Sequence, residues 1–244
     1  MPQHDRRASG RRDPKRNLFA YVVESLGARI VKGEFGPATP FPKEADLAVE
    51  FGASRSVIRE AVKALAARGL LASQTRTGIR VLEPFNWNLL DAEVLNWRYR
   101  TMPAQQFYGE LFEIRRMIEP SAARLAARRG THREITAIAE AFARMSQASA
   151  GDRSGVAADL LFHRSILAAS HNALLLQMGS LIAVGLDTAH RISAESFQVF
   201  LPMHQAVYEA IARRDGEAAG AAMEHLLLTT HDFMHGRIRS LPLS

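Results

Sequence analysis

Cysteine is absent from the 244-residue sequence. Its absence excludes disulfides, thiolate metal sites and a cysteine nucleophile, and agrees with a reducing cytoplasm. Long apolar runs are absent too. The longest, residues 172–186, is interrupted by Gln177, Gly179 and Ser180 and falls short of the ~20 residues a membrane-spanning helix needs. It reads as a buried core helix, and no membrane is expected as a partner. The N-terminus is basic and polar, without the apolar stretch of a secretory signal. Internal repeats and long low-complexity segments are also lacking. What remains is a chain 47% hydrophobic and long enough to bury two cores.

Charge is unevenly spread. Residues 1–16 hold six basic and two acidic side chains, residues 17–84 nine and seven, and residues 85–244 sixteen of each. The formal net charge of +6 therefore lies in the first third, which suggests a nucleic-acid-facing end joined to a neutral body. Residues 1–16 read as a basic disordered tail that either attracts phosphate nonspecifically or merely solvates the end of the chain.

Residues 17–84 carry the strongest pattern. Leu18, Phe19, Val22, Val23, Leu26 and Ile30 recur at helical spacing, and a short helix after Pro42 presents Leu47, Ala48 and Phe51. Gly52 can supply the positive φ of a tight turn. Ser54 is placed to cap a second helix whose Val57, Ile58, Ala61, Val62 and Leu65 share one face. Gly69 closes that helix, Leu70 and Leu71 begin a strand, and Arg76-Thr77-Gly78 reads as a hairpin tip before Ile79, Val81 and Leu82 return. Helix, turn, helix and two-stranded wing in this order make a winged helix-turn-helix. Ser54, Arg55, Ser56, Arg59 and Lys63 are left on the open side of the second helix, with Arg76, Thr77 and Gly78 on the wing. Arginine donates two parallel hydrogen bonds to guanine O6 and N7 or clamps a phosphate, and a small hydroxyl can approach a base edge closely. Double-stranded DNA is the expected partner. An isolated surface arginine most often only solvates a helix; the ordered set of turn, helix and wing favours the major groove.

Pro84 and the segment Phe85-Asn86-Trp87-Asn88 mark a boundary, with a linker and first helix over residues 85–103. Residues 104–240 read as helical throughout. A long amphipathic element over 110–129 carries Leu111, Ile114, Ile118 and Leu125 on or near its inner face and stops at Gly130, and Thr131 with Glu134 forms a capping-box signature. Further helices are expected through residues 154–170, 172–194, 203–214 and 217–237. The fold class is mainly α: a winged helix-turn-helix followed by an antiparallel all-helical bundle.

A second constellation lies in that bundle. Asp159 and His163, four apart, share a helix face. His204 opens the next-to-last helix, and His225 falls midway along the last, on the side suggested by Met223, Leu226 and Leu227. One oxygen and three nitrogen donors without sulfur suit a divalent metal ion, Zn²⁺ first, with Ni²⁺, Co²⁺ or Mn²⁺ as alternatives, and leave positions open to a carboxylate. With nine histidines in the chain, such a pair also arises by chance, and spacing alone leaves hydrogen-bonded core histidines equally open.

Residues 18–83 resemble the winged-helix domain of GntR-family bacterial transcription regulators, and residues 105–230 look like the all-helical FCD effector domain of the FadR branch. The matching stretches are Phe41-Pro42-Lys43-Glu44, residues 54–61, Arg115 through Glu119-Pro120, Asp159 through Phe162-His163, and His204 and His225. The resemblance implies that Asp159, His163, His204 and His225 hold a divalent metal and that Arg115 stands near the effector pocket. By spacing, Arg115 also suits a salt bridge to Glu119. One departure is Ala45, where many members carry a DNA-contacting arginine, so operator preference should differ. Ala45 and the linker over 85–97 resemble the sugar-acid-responsive subgroup, galactonate-responsive repressors in particular, which implies an aldonate or hexuronate effector. A homodimer would set two recognition helices in successive major grooves of a pseudo-palindromic operator, and the effector carboxylate would meet the metal and Arg115. Two other classes fit parts of the chain. A metal-dependent hydrolase could use the same shell, although no His-Glu-x-x-His element or general base stands beside it. An architectural DNA-binding protein would explain the basic third and leave the neutral helical part without a role.

Overall fold

The computed structural model describes residues 14–74, 78–148, 153–192 and 196–239. Residues 1–13 of the expected tail, and Arg76 and Thr77 of the wing tip, lie outside them. The chain divides into two units, residues 1–101 and 102–244.

In the first unit α1 (Pro14–Val31) already starts within the stretch that the charge pattern assigns to the tail. Proline suits a first helical turn, where its missing N–H would have no partner. Val22, Val23, Leu26 and Ile30 bury one stripe of α1. The short α2 (Glu44–Glu50) buries Leu47, and Gly52 at φ +57° turns the chain toward Ala53, whose N–H bonds back to the Ala48 carbonyl. The side chain of Ser54 accepts the Val57 N–H at 3.4 Å and so caps α3 (Arg55–Ala67), which buries Ile58, Ala61, Val62 and Leu65. Gly69, at φ +76°, has the Asn86 carbonyl so close that a Cβ would stand 2.3 Å from it; only glycine fits there. β1 (Leu71–Gln74) and β2 (Gly78–Val81) pair antiparallel, Leu71 with Val81 and Gln74 with Gly78.

Residues 85–103, expected as a linker and first helix, contain one α-helix. α4 (Ala92–Thr101) belongs to the first unit, packs on α1, and buries Val94, Leu95 and Trp97. The Trp97 indole N–H donates to Glu24 at 2.8 Å, and Arg100 pairs with the same carboxylate. The ring lies against Gly27, where a Cβ would stand 2.4 Å from it. Gly27→Ala would gain up to ~1 kcal/mol of helix propensity but should overpack this contact at about 1–3 kcal/mol. The expected net is a loss of stability in urea unfolding.

The second unit is helical. α5 (Ala104–Arg129) pairs with α11 (Gly216–Arg239), α6 (His132–Gln147) with α7 (Arg153–Ala169), and α10 (Leu201–Ala212) with α11. Ala122, Ala123, Ala126 and Ala127 give α5 a small-residue face that meets Ile138, Phe162, Ile166, Ile211 and Met223 in one core. α5 contains Pro120 in its interior. Ile114, which spacing puts near the inner face, is exposed, while Leu111 is buried. The single helix expected over 172–194 is broken at Met178 into α8 (Ala173–Gln177) and α9 (Gly179–Ile192), at a glycine that favours helix poorly. Residues 193 and 194 lie outside the described residues. Leu174 and Leu176 of α8 are exposed, so this segment is not wholly core. No helix among the described residues is long and apolar enough to cross a membrane.

The capping box forms as the spacing predicts: the Thr131 hydroxyl accepts the Glu134 N–H at 3.3 Å, and the Glu134 carboxylate accepts the Thr131 N–H at 2.7 Å. His171 and then the Thr131 groups hold the Glu134 carboxyl down at about 2, below its ordinary 4.5. A carboxyl depressed on folding stabilises the fold above its unfolded value and loses that contribution as pH falls through the folded value. Thus a Tm difference between the protein and Glu134→Gln should be present at pH 6 and vanish between pH 4.5 and 2.

Candidate nucleic-acid interface and metal centre

The open side of α3 is made of the residues that its apolar back excludes. Ser54, Arg55, Ser56, Arg59 and Lys63 are all exposed. The hydroxyls of Ser54 and Ser56 lie 2.9 Å apart at the helix N-terminus, where free N–H groups and the helix dipole favour a phosphate. Arg59 reaches back to Glu44 at 3.5 Å, and Lys63 meets Glu60 at 2.9 Å. Such solvated pairs are worth about 1 kcal/mol or less, and a phosphate or guanine edge can displace them. Gly78, at φ +83°, opens β2. Arg80 on the same strand is exposed between the inward Ile79 and Val81; sequence reasoning passed over it, although strand alternation marks it.

The second site sits within α5, α7 and α10. Asp159 Oδ1 lies 3.3 Å from His163 Nε2 and 3.2 Å from His204 Nε2. These three donor atoms lie within 4.8 Å of one another. Both histidines are buried, and each is oriented from behind: His204 Nδ1 donates to the Phe200 carbonyl at 2.8 Å, and His163 Nδ1 meets the Glu119 carboxylate in a short hydrogen bond. With its Nδ1 proton committed, a neutral imidazole turns its Nε2 lone pair forward. Two lone pairs and a carboxylate oxygen then converge on one point, where the buried Asp159 Oδ1 faces, among the described residues, only the two imidazoles. Only positive charge reconciles them, either protons on the imidazoles or a metal ion. The donor set and this buried oxygen fit a divalent cation.

Charge at the cluster is strongly coupled. Burial alone would push the Asp159 carboxyl up, yet His163 and His204 hold it far below the carboxylate range. Burial opposes a charged His163, but Glu119 and Asp159 raise it to about 9. Glu119 is likewise driven up by burial and pulled down to about 2 by Arg115 and His163.

The other two expected residues lie outside the three-donor group. His225 is exposed on α11 and is not part of the cluster. At about 100° per residue it lies nearly opposite Met223, and the inward places are taken by Met223, Leu226 and Leu227. Arg115 is buried, and its Nε donates to Glu119 Oε1 at 2.5 Å; the salt bridge that spacing allows is the one that forms. Arg115 also borders a cavity of about 10 Å³ with Tyr108, Leu111, Gly185 and Thr230, room for a single water at most. Glu119, read from sequence only as a partner of Arg115, also orients His163. The signal missed was a glutamate next to a proline on the same buried face as Arg115.

Residues 19–81 match the bacterial regulatory proteins of the gntR family, and residues 110–229 match the FCD domain. The uncharacterized HTH-type transcriptional regulator YieP of Escherichia coli (strain K12) is 34% identical over 215 residues, which covers 87% of this chain and 94% of that protein. The galactonate operon transcriptional repressor of the same strain is 31% identical over 209 residues, covering 82% and 90%. The solved structure of Lar, described as controlling the expression of the Listeria monocytogenes agr system, aligns at a TM-score of 0.63 and 18% identity, over 93% of this chain and 98% of that one; this likeness speaks for the fold alone. A helix-turn-helix of this type binds DNA and an FCD domain binds small-molecule effectors, so the chain is a regulator and neither the hydrolase nor the architectural alternative stands. It belongs to the GntR family of transcription regulators, in the FadR branch that carries an FCD effector domain.

Proposed function

We propose that this regulator is a cytoplasmic repressor of a sugar-acid catabolic operon, released from its operator when an aldonate or hexuronate binds the helical domain. The observation that carries the reading is the cluster of half-buried Asp159 with buried His163 and His204, with Arg115 one carboxylate away, in a chain akin to a galactonate operon repressor. Asp159, His163 and His204 would hold a divalent cation, Zn²⁺ first, as a three-donor shell. A cation held there supplies a positive centre to which carboxylate and hydroxyl oxygens are drawn. Arg115 would orient the acid through charge-assisted hydrogen bonds. The cavity beside Arg115 holds no sugar acid as it stands, so an acid that enters there would part α5 from its neighbours. That parting would tie binding to a change of shape.

On DNA, a homodimer would set one α3 in each of two successive major grooves of a pseudo-palindromic operator, Arg55 and Arg59 reading bases, Ser54, Ser56 and Lys63 holding phosphates, and Arg76, Thr77 and Gly78 following the backbone. Release requires that the effector prefer the arrangement that cannot bind DNA. A 10⁴-fold shift in the conformational ratio needs about 5.5 kcal/mol of differential affinity, and tight binding without that preference shifts nothing. The test is a thermal-shift screen of galactonate, gluconate and hexuronates, with and without chelator, followed by gel shift on the upstream DNA. Stabilisation that a chelator removes, with loss of the DNA complex, supports the reading. If a fatty acyl, amino-acid or dicarboxylate ligand alone stabilises the protein, the sugar-acid assignment is wrong. Strengthened DNA binding would make it an activator.

A further inference from the structure

We propose that Glu119 is a shared carboxylate through which Arg115 tunes the affinity of the Asp159/His163/His204 cluster for a cation; the inference rests on the metal-binding reading above. Glu119 Oε1 accepts from Arg115 Nε at 2.5 Å, while Oε2 faces His163 Nδ1. All three side chains are buried, so the carboxylate charge is divided between these two partners rather than spread into water. A carboxylate behind a ligating histidine fixes its tautomer and makes the forward nitrogen a better donor. Whatever share of that charge Arg115 takes is withheld from His163. Arg115 is also a buried cation whose field reaches Asp159, and it opposes a second cation at the cluster directly. Both effects act in one direction.

Opposite signs follow for the two members of one salt bridge. Removing the Arg115 charge should strengthen metal binding, because Glu119 is then committed to His163 and a repelling charge is gone. Removing the Glu119 charge should weaken it. Residues that merely tied α5 to its neighbours would, when replaced, weaken the site in both cases. An acidic effector that draws the guanidinium away from Glu119 would act in part as the first substitution does, so acid and metal would favour each other.

The experiment measures Zn²⁺ affinity by competition with a chromophoric chelator, on the full chain and on Arg115→Gln, Glu119→Gln and the double variant, each checked for helical content by circular dichroism. Arg115→Gln should bind Zn²⁺ about tenfold more tightly than the parent, and Glu119→Gln about 10- to 100-fold more weakly, the range seen for partners behind metal ligands. Glu119→Gln leaves a buried arginine unpaired and could misfold. The double variant removes both charges together and should bind more weakly than Arg115→Gln. Weaker binding by a folded Arg115→Gln, or equal binding by the parent, Arg115→Gln and the double variant, overturns the coupling and leaves the metal site standing. If the parent itself takes no Zn²⁺, the metal reading and the coupling fall together.

Discussion

Arg59→Ala should weaken operator-specific binding about 30-fold or more while leaving folding intact. The side chain is 62% exposed and lies off the buried face of α3, so truncation removes no core contact. A lost bidentate base contact costs about 1–3 kcal/mol. The proposed dimer on a two-fold operator would lose two, about 2–6 kcal/mol, or roughly 30-fold to more than 10⁴-fold in affinity at 1.4 kcal/mol per decade. Arg55→Ala should behave alike, whereas Lys63→Ala should weaken binding evenly across sequences and reduce its salt dependence, as a phosphate contact does. Gel shifts at two salt concentrations measure both. If neither arginine variant departs from the parent by more than twofold, α3 does not enter the groove.

The second large effect concerns the cluster. His163→Ala and His204→Ala each remove one of three converging donors and should lower metal affinity by at least about 100-fold, more than the loss of a supporting partner costs. His225→Ala should leave metal content unchanged, because that side chain is exposed on the far side of α11. Elemental analysis of dialysed protein decides. Full metal content in both His163→Ala and His204→Ala would return these residues to hydrogen-bonded core histidines. Loss of metal in His225→Ala would mean that α11 rotates to close the shell.

What could be read from the sequence was local. The Gly52 turn, the Ser54 cap, the apolar back of α3 and the Thr131/Glu134 box each depend on residues within one or two turns, and Asp159 with His163 is an i,i+4 pair. Features that depend on distant partners escaped. The docking of α4 rests on Trp97 reaching Glu24, 73 residues away, and the second role of Glu119 on a histidine 44 residues away. The Phe200 carbonyl that orients His204 has no signature, since every residue carries one. His225 shows the limit of inference from neighbours: Met223, Leu226 and Leu227 define a buried stripe, but a residue between them in sequence can fall on the opposite side of the cylinder.

Pro120 sits in the interior of α5, immediately after Glu119. A proline there has no N–H for the carbonyl four residues back, and its ring crowds that carbonyl. The rod is therefore cheapest to bend at this point. On one side lie Tyr108, Leu111 and Arg115; on the other lie Ala122, Ala123, Ala126 and Ala127, locked in the core. If an acid enters beside Arg115 as proposed, the bend would fall at Pro120, between the segment that bears Arg115 and the segment held in the core.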